Sequence, residues 1–113
     1  MNNVILIGRL SREPELRYLP SGDNAAVVRF TLAVDRSLSK EKRAEAERNN
    51  QPTADFISCT AWRNQATFIG QYIKKGDLIA ISGRIQTSVY KKHEETIFNT
   101  SVNVEEVKGL ESS

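Results

Sequence analysis

The chain has a single tryptophan, and it lies in a segment of unusual make-up, residues 55–63, DFISCTAWR. With the two-residue period of a strand, Ile57, Cys59 and Ala61 fall on one face and Phe56, Ser58, Thr60 and Trp62 on the other. The first set suits a core. The second places two large aromatics among hydroxyls, on a face that otherwise favours water. Residues 77–90 repeat the asymmetry, with Ile79, Ile81, Ile85 and Val89 in one phase and Arg84, Gln86, Ser88 and Tyr90 in the other. Any one of these aromatics alone fits the edge of a core equally well. Three of them in the hydrophilic phase of their strands point to a shared platform. Such a platform stacks on other flat rings, and a base stacked on an aromatic side chain gains ~1–3 kcal/mol whatever its identity. Arg36, Lys75, Arg84 and Lys91 are the basic groups placed to follow a phosphate chain beside it.

Covalent chemistry finds little support. His93 is the only histidine and lies in a charged turn, where a solvated surface role is expected. Cys59 is the only cysteine, so no internal disulfide forms, in agreement with a reducing compartment. Its inward phase suits a small core residue rather than a nucleophile. A zinc site needs a cluster of Cys and His that this chain lacks. Glu94 and Glu95, like Glu105 and Glu106, are neighbours that point to opposite sides of a strand, which favours solubility over acid–base work. No glycine-rich phosphate loop precedes a helix. The residues describe a binder that is not an enzyme and has no metal or cofactor.

Composition bounds this reading without sharpening it. The 113 residues are 39% hydrophobic and 27% charged, which is ordinary for one globular domain. No apolar run approaches the roughly 20 residues of a bilayer span, so no membrane role is expected. The N-terminus, MNNVILIGRL, has neither a basic leader nor a small-residue cleavage site, so the expectation is a cytoplasmic protein without a signal peptide. A net charge of +2 is too small to argue for a polyanion partner; clustering of the charge matters more.

The elements that position the platform are read in order. VILIGR near the N-terminus is a short strand, apolar on both faces, which fits burial against a second subunit. Residues 11–24 read as loop, broken by Pro14, Pro20 and the Ser21, Gly22 pair. A second strand covers residues 26–36, alternating Val28, Phe30, Leu32 and Val34 against Arg29, Thr31, Ala33 and Asp35. Residues 37–53 lack an apolar stripe and read as a long solvated loop with nascent helicity, in which Arg43 could pair with Glu47 and Glu45 with Arg48. A second reading makes it an arm closing over a ligand with Arg36, Lys40, Lys42, Arg43 and Arg48. After the 55–63 strand, Asn64 caps a helix bearing Ala66, Ile69, Tyr72 and Ile73, closed by Lys74, Lys75 and a C′ Gly76. A long strand follows with a bulge or bend at Gly83, then a turn at 91–95 and a fifth strand over 97–107. There Phe98, Val102 and Val104 share one side with Thr100. Residues 108–113 read as a frayed end. The chain is therefore all-β, a five-stranded OB-fold barrel of order β-β-β-α-β-β with one helix between the third and fourth strands. Its domain spans residues 1–108, with 109–113 a short end. Outer strand faces of such barrels take oligonucleotides or oligosaccharides.

Several blocks are also familiar together. NNVILIGRL, PELRY with a following Pro-Ser-Gly turn, FTLAVDRS, DFISCTAW and YIKKGDLIAISGRIQT occur in the order found in the bacterial single-stranded DNA-binding protein family, which the chain resembles over residues 2–107. The resemblance implies an OB-fold homotetramer, cytoplasmic and associated with the nucleoid. It implies coating of single-stranded DNA without sequence preference in replication, recombination and repair. It assigns Phe56, Trp62 and Tyr90 to base-stacking positions, and adds Lys74 to Lys75 as a basic pair meeting the backbone, beside Arg36, Arg84 and Lys91. Leu38 replaces a stacking tryptophan of some relatives. Ser58, Gln86 and Ser88 replace basic residues, which implies a smaller electrostatic share of binding. Family members commonly continue to an acidic tip that recruits replication and repair proteins, and this sequence ends at GLESS without that recruiting tail. The alternative is an OB-fold replication accessory module acting mainly through protein contacts. RNA on the same face is a third possibility, since no residue here reads a 2′-hydroxyl.

Overall fold

The computed structural model describes residues 1–20 and 25–113, so the expected turn at Ser21 and Gly22 lies outside the described residues. Its elements are β1 (Val4–Leu10), β2 (Glu15–Tyr18), β3 (Ala26–Asp35), α1 (Lys40–Arg48), β4 (Ala54–Trp62), α2 (Arg63–Tyr72), β5 (Leu78–Lys92) and β6 (Glu95–Glu111). They form one sheet in the order β1-β5-β6-β4-β3-β2. β1 also pairs with β3, at Arg9↔Ala33 and Leu10↔Leu32, and this second pairing curls the sheet into a barrel. Neighbours are antiparallel except β4 and β6, which run parallel at Cys59↔Val102 and Thr60↔Asn103. Five long strands closed in this way, with α2 between the third and fourth of them, make an OB-fold.

Close backbone approach explains two glycines. A Cβ on Gly83 would stand 2.1 Å from the carbonyl oxygen of Asn103, and one on Gly8 would stand 2.4 Å from that of Ala33. Gly83 also adjoins a register shift between β5 and β6, the bulge expected from its place in the strand. Inside, the alternating residues of each strand meet: Leu10, Val28, Leu32, Cys59, Ile79, Ile81 and Val102 are all buried. α2 plugs one end of the barrel with Ala66, Ile69 and Ile73. Burying an aliphatic side chain of this size stabilises by about 1.5–3 kcal/mol, so this layer holds the sheet whose outer face remains free.

The structure corrects several expectations. Residues 15–18 are a strand rather than loop, because Glu15 to Tyr18 pair in register with Arg29 to Ala26 and Leu16 packs beside Gly70. The segment after β3 is a formed helix, not a loop. Ser39 caps it by accepting the Lys42 N–H at 3.2 Å, and Arg43 reaches Asp35 at 2.8 Å instead of pairing with Glu47. Asn64 is not a cap, because β4 passes directly into α2 and Trp62 takes the N-cap position. Gly76, at φ +90°, turns the chain three residues beyond the C-cap Ile73. The hairpin strands are longer than expected, with a turn of only His93 and Glu94, both at positive φ. Ile85, Val89 and Phe98 keep the inward phase but are exposed, because the hairpin outruns the barrel. β6 continues to Glu111 opposite Leu78, and the Ser113 N–H donates to Asp77 at 3.0 Å, so the end is tied down rather than frayed.

Candidate nucleic-acid interface

Strand register decides which side chains share a surface, since directly paired residues point to the same side. On β4, Phe56, Ser58, Thr60 and Trp62 pair with Ala33, Thr31, Arg29 and Val27 of β3. Thr60 also lies beside Asn103 of β6. On the far side of β6, Asn103, Ser101, Asn99 and Ile97 face Arg84, Gln86, Ser88 and Tyr90 of β5. The hydrophilic phases of four strands therefore join into one face. Its aromatics are open to solvent: Phe56 is 64% exposed, Tyr90 47% and Trp62 41%. Of the eight aromatic residues in the chain, only Phe30 is buried.

A groove of about 410 Å³ runs over this face, lined by Ser58, Thr60, Ser88, Asn99 and Ser101, by Arg12 and Arg29, and by the carboxylates of Glu13 and Glu15. Its hydroxyls and amides donate and accept but carry no charge. Phe56 and Trp62 are six residues apart on one strand, roughly 20 Å at the usual rise, so several bases fit between them.

The structure separates the expected basic residues. Arg84 stands on the face, opposite Asn103. Arg36 lies at its border just after β3, with Nε and Nη2 donating to Asp55 Oδ1 at 3.1 and 2.7 Å. That carboxylate pushes the Arg36 pKa up and keeps the guanidinium charged. Lys91 is near the hairpin tip in the phase opposite to Tyr90. Lys74 and Lys75 occupy the turn after α2, where their amides donate to Asp77 and Glu13. That turn is tied to Leu10 and Ser113, at the β1 end of the molecule rather than at the hairpin. Leu38 is half-buried before α1. Sequence reasoning missed Arg12 and Arg29. Arg29 occupies the hydrophilic phase of β3, a signal visible in the sequence, but only the pairing of β3 with β4 shows what it faces.

Groups suited to other chemistry are placed otherwise. Cys59 is buried, and loss of water pushes its thiol pKa up to about 12. His93 is exposed at the hairpin tip. No helix is long and apolar enough to cross a membrane among the described residues.

A closed OB barrel with a grooved, aromatic-studded strand face defines an oligonucleotide- or oligosaccharide-binding module. The chain belongs to the single-strand binding protein family, whose model matches residues 1–110. It is 47% identical over 112 residues to the single-stranded DNA-binding protein of Halalkalibacterium halodurans, covering 98% of this chain and 61% of that one. With single-stranded DNA-binding protein A of Bacillus subtilis the identity is 42%, covering 98% and 60%. The chain thus spans about three fifths of the length of these relatives. The crystal structure of the wild-type single-stranded DNA binding protein from Thermus aquaticus superposes with a TM-score of 0.71 at 30% identity, covering all of this chain and 42% of that one.

Proposed function

We propose that the protein binds and protects single-stranded DNA without sequence preference, by stacking bases on Phe56, Trp62 and Tyr90 and holding the backbone with basic side chains, and that it catalyses no reaction. Residues 1–108 carry this activity. The observation behind the reading is the register that joins three exposed aromatics into one polar, grooved face. A π-face is common to every base, which gives binding without sequence readout. Arg84 and Arg36 supply charge at the face and its border, and Lys91, Lys74 and Lys75 extend it for a strand that wraps further. Titration of Trp62 fluorescence with oligo-dT tests this; a signal unchanged at low salt and micromolar protein defeats it.

Two separate apolar patches support assembly into a homotetramer. Ile5 and Ile7 lie on the outward side of β1, 71% and 53% exposed. Ile85, Val89 and Phe98 lie on the opposite side of the β5–β6 hairpin from Tyr90. Two different self-complementary patches are what a dimer of dimers needs. Sedimentation equilibrium should give four chains, and Phe98→Asp should leave two.

A further inference from the structure

We infer that Arg29 of β3 is the central phosphate-binding residue of the groove, assisted by Arg12, which follows the Ser11 bonded to Thr31 on the same flank. The inference rests on the single-strand-binding reading above. Arg29 is exposed and pairs with Thr60, so it stands between the platform residues Phe56 and Trp62 rather than at the margin of the face. A strand with bases on both rings must carry its phosphates over Ser58 and Thr60, along the line that Arg29 flanks.

Arg29 is also available. Its register neighbour Glu15 approaches Arg17 at 3.9 Å, and Glu13 Oε1 accepts the Lys75 N–H at 3.1 Å. Glu13 and Glu15 line the same groove, and neither is bonded to Arg29 among the described residues. Arg29 itself makes no ion pair or side-chain hydrogen bond among the described residues, unlike Arg36 and Arg43, each held by an aspartate. A guanidinium without a bonded partner beside hydroxyls and amides is a place for an anion, since its donor fork matches phosphate oxygens. Ser58, Gln86 and Ser88 imply a weaker electrostatic contribution from β4 and β5. The register sets Arg29 of β3 directly beside Thr60 of β4.

The test is a salt series of oligo-dT titrations on the intact protein, read by Trp62 fluorescence, for the wild type, Arg29→Ala, Arg29→Gln and Arg48→Ala. Each phosphate contact to a single strand contributes a slope of about 0.7 in log K against log salt. Arg29→Ala and Arg29→Gln should each lower the slope by about that amount and weaken dT, dA and dC alike. Arg48→Ala, at the exposed end of α1 and outside the groove lining, should match the wild type. Melting curves accompany each titration, and the Gln variant keeps most of the side chain should the Ala variant unfold. A wild-type slope in the folded Arg29 variants overturns this inference while leaving single-strand binding intact. A wild type that does not bind overturns both.

Discussion

Arg36 donates both Nε and Nη2 to one oxygen of Asp55, the residue immediately before Phe56. The pair therefore closes one end of the aromatic face with a cation already neutralised by a protein carboxylate. Both side chains are about half exposed, 41% and 55%, so the pair is screened and weakly held. Under the proposed function, a phosphate arriving at Phe56 would compete with Asp55 for the same guanidinium.

Asp55→Asn should therefore strengthen binding of oligo-dT. Removing the competing carboxylate frees Arg36 and deletes a negative charge beside the first stacking ring. The gain should be a few-fold at low salt, about fivefold at most for an exposed pair, and should fade as salt rises. Stopped-flow association at two salt concentrations measures it. Weaker binding by the variant would show that Asp55 positions Arg36 rather than competing for it.

The three aromatics proposed to stack on bases differ in how far they serve the fold. Phe56 is the most exposed, so Phe56→Ala should cost ~1–3 kcal/mol of binding with an unchanged melting midpoint. Trp62→Ala should lose as much binding and also some stability, because Trp62 is the least exposed of the three and pairs with the buried Val27. Tyr90→Ala should affect binding alone. Calorimetric binding and thermal melts on the same preparations separate the two effects.

At Gly83 the barrel tolerates no side chain. With a Cβ 2.1 Å from a backbone oxygen, Gly83→Ala forces β5 and β6 apart at the bulge. The loss should reach or exceed the ~1–3 kcal/mol typical of overpacking. Denaturant titration followed by circular dichroism reads it directly. Gly109→Ala is the internal control: the nearest atom to its added Cβ is a side-chain carbon at 3.8 Å, an ordinary contact.

Acid should weaken the protein through Asp77. Its carboxylate accepts the Lys74 N–H at 2.9 Å and the Ser113 N–H at 3.0 Å, and these bonds, the Lys74 one foremost, hold its pKa below the usual value. A carboxyl with a depressed folded pKa stabilises above its unfolded pKa, roughly 3.9, and that stability disappears as pH falls through the lower, folded value. Asp35, held down by the Ser37 N–H and then by Arg43, acts in the same direction. Asp77→Asn should melt earlier than the wild type at pH 7, and the two midpoints should converge as the pH drops below about 4. Parallel midpoints across that range would remove Asp77 from the account.

The phases of β4 and β5 were legible in the residues themselves, because alternation along a strand is a local property. Ile57, Cys59 and Ala61 belong inside, and Phe56 and Trp62 outside, wherever the strand sits. The helix over Ala66, Ile69 and Ile73 and the bend at Gly83 were equally local. α1 escaped notice because it has no apolar stripe; Ser39 and the Arg43–Asp35 bond hold it instead. β2 escaped notice because four residues are too few to show a period.

Sequence alone thus determined which side chains each strand presents. Tertiary structure decided which strands lie side by side. Arg29 meets Thr60, and Thr60 meets Asn103, through pairings between residues tens of positions apart, and no periodicity in the chain encodes those neighbours. The same lateral pairing decided that Ile85, Val89 and Phe98 project past the barrel, because burial depends on what covers a residue as well as on its phase. Exposed aromatics could be read from two strands. The groove, and the arginine at its centre, exist only once β3, β4, β6 and β5 are joined.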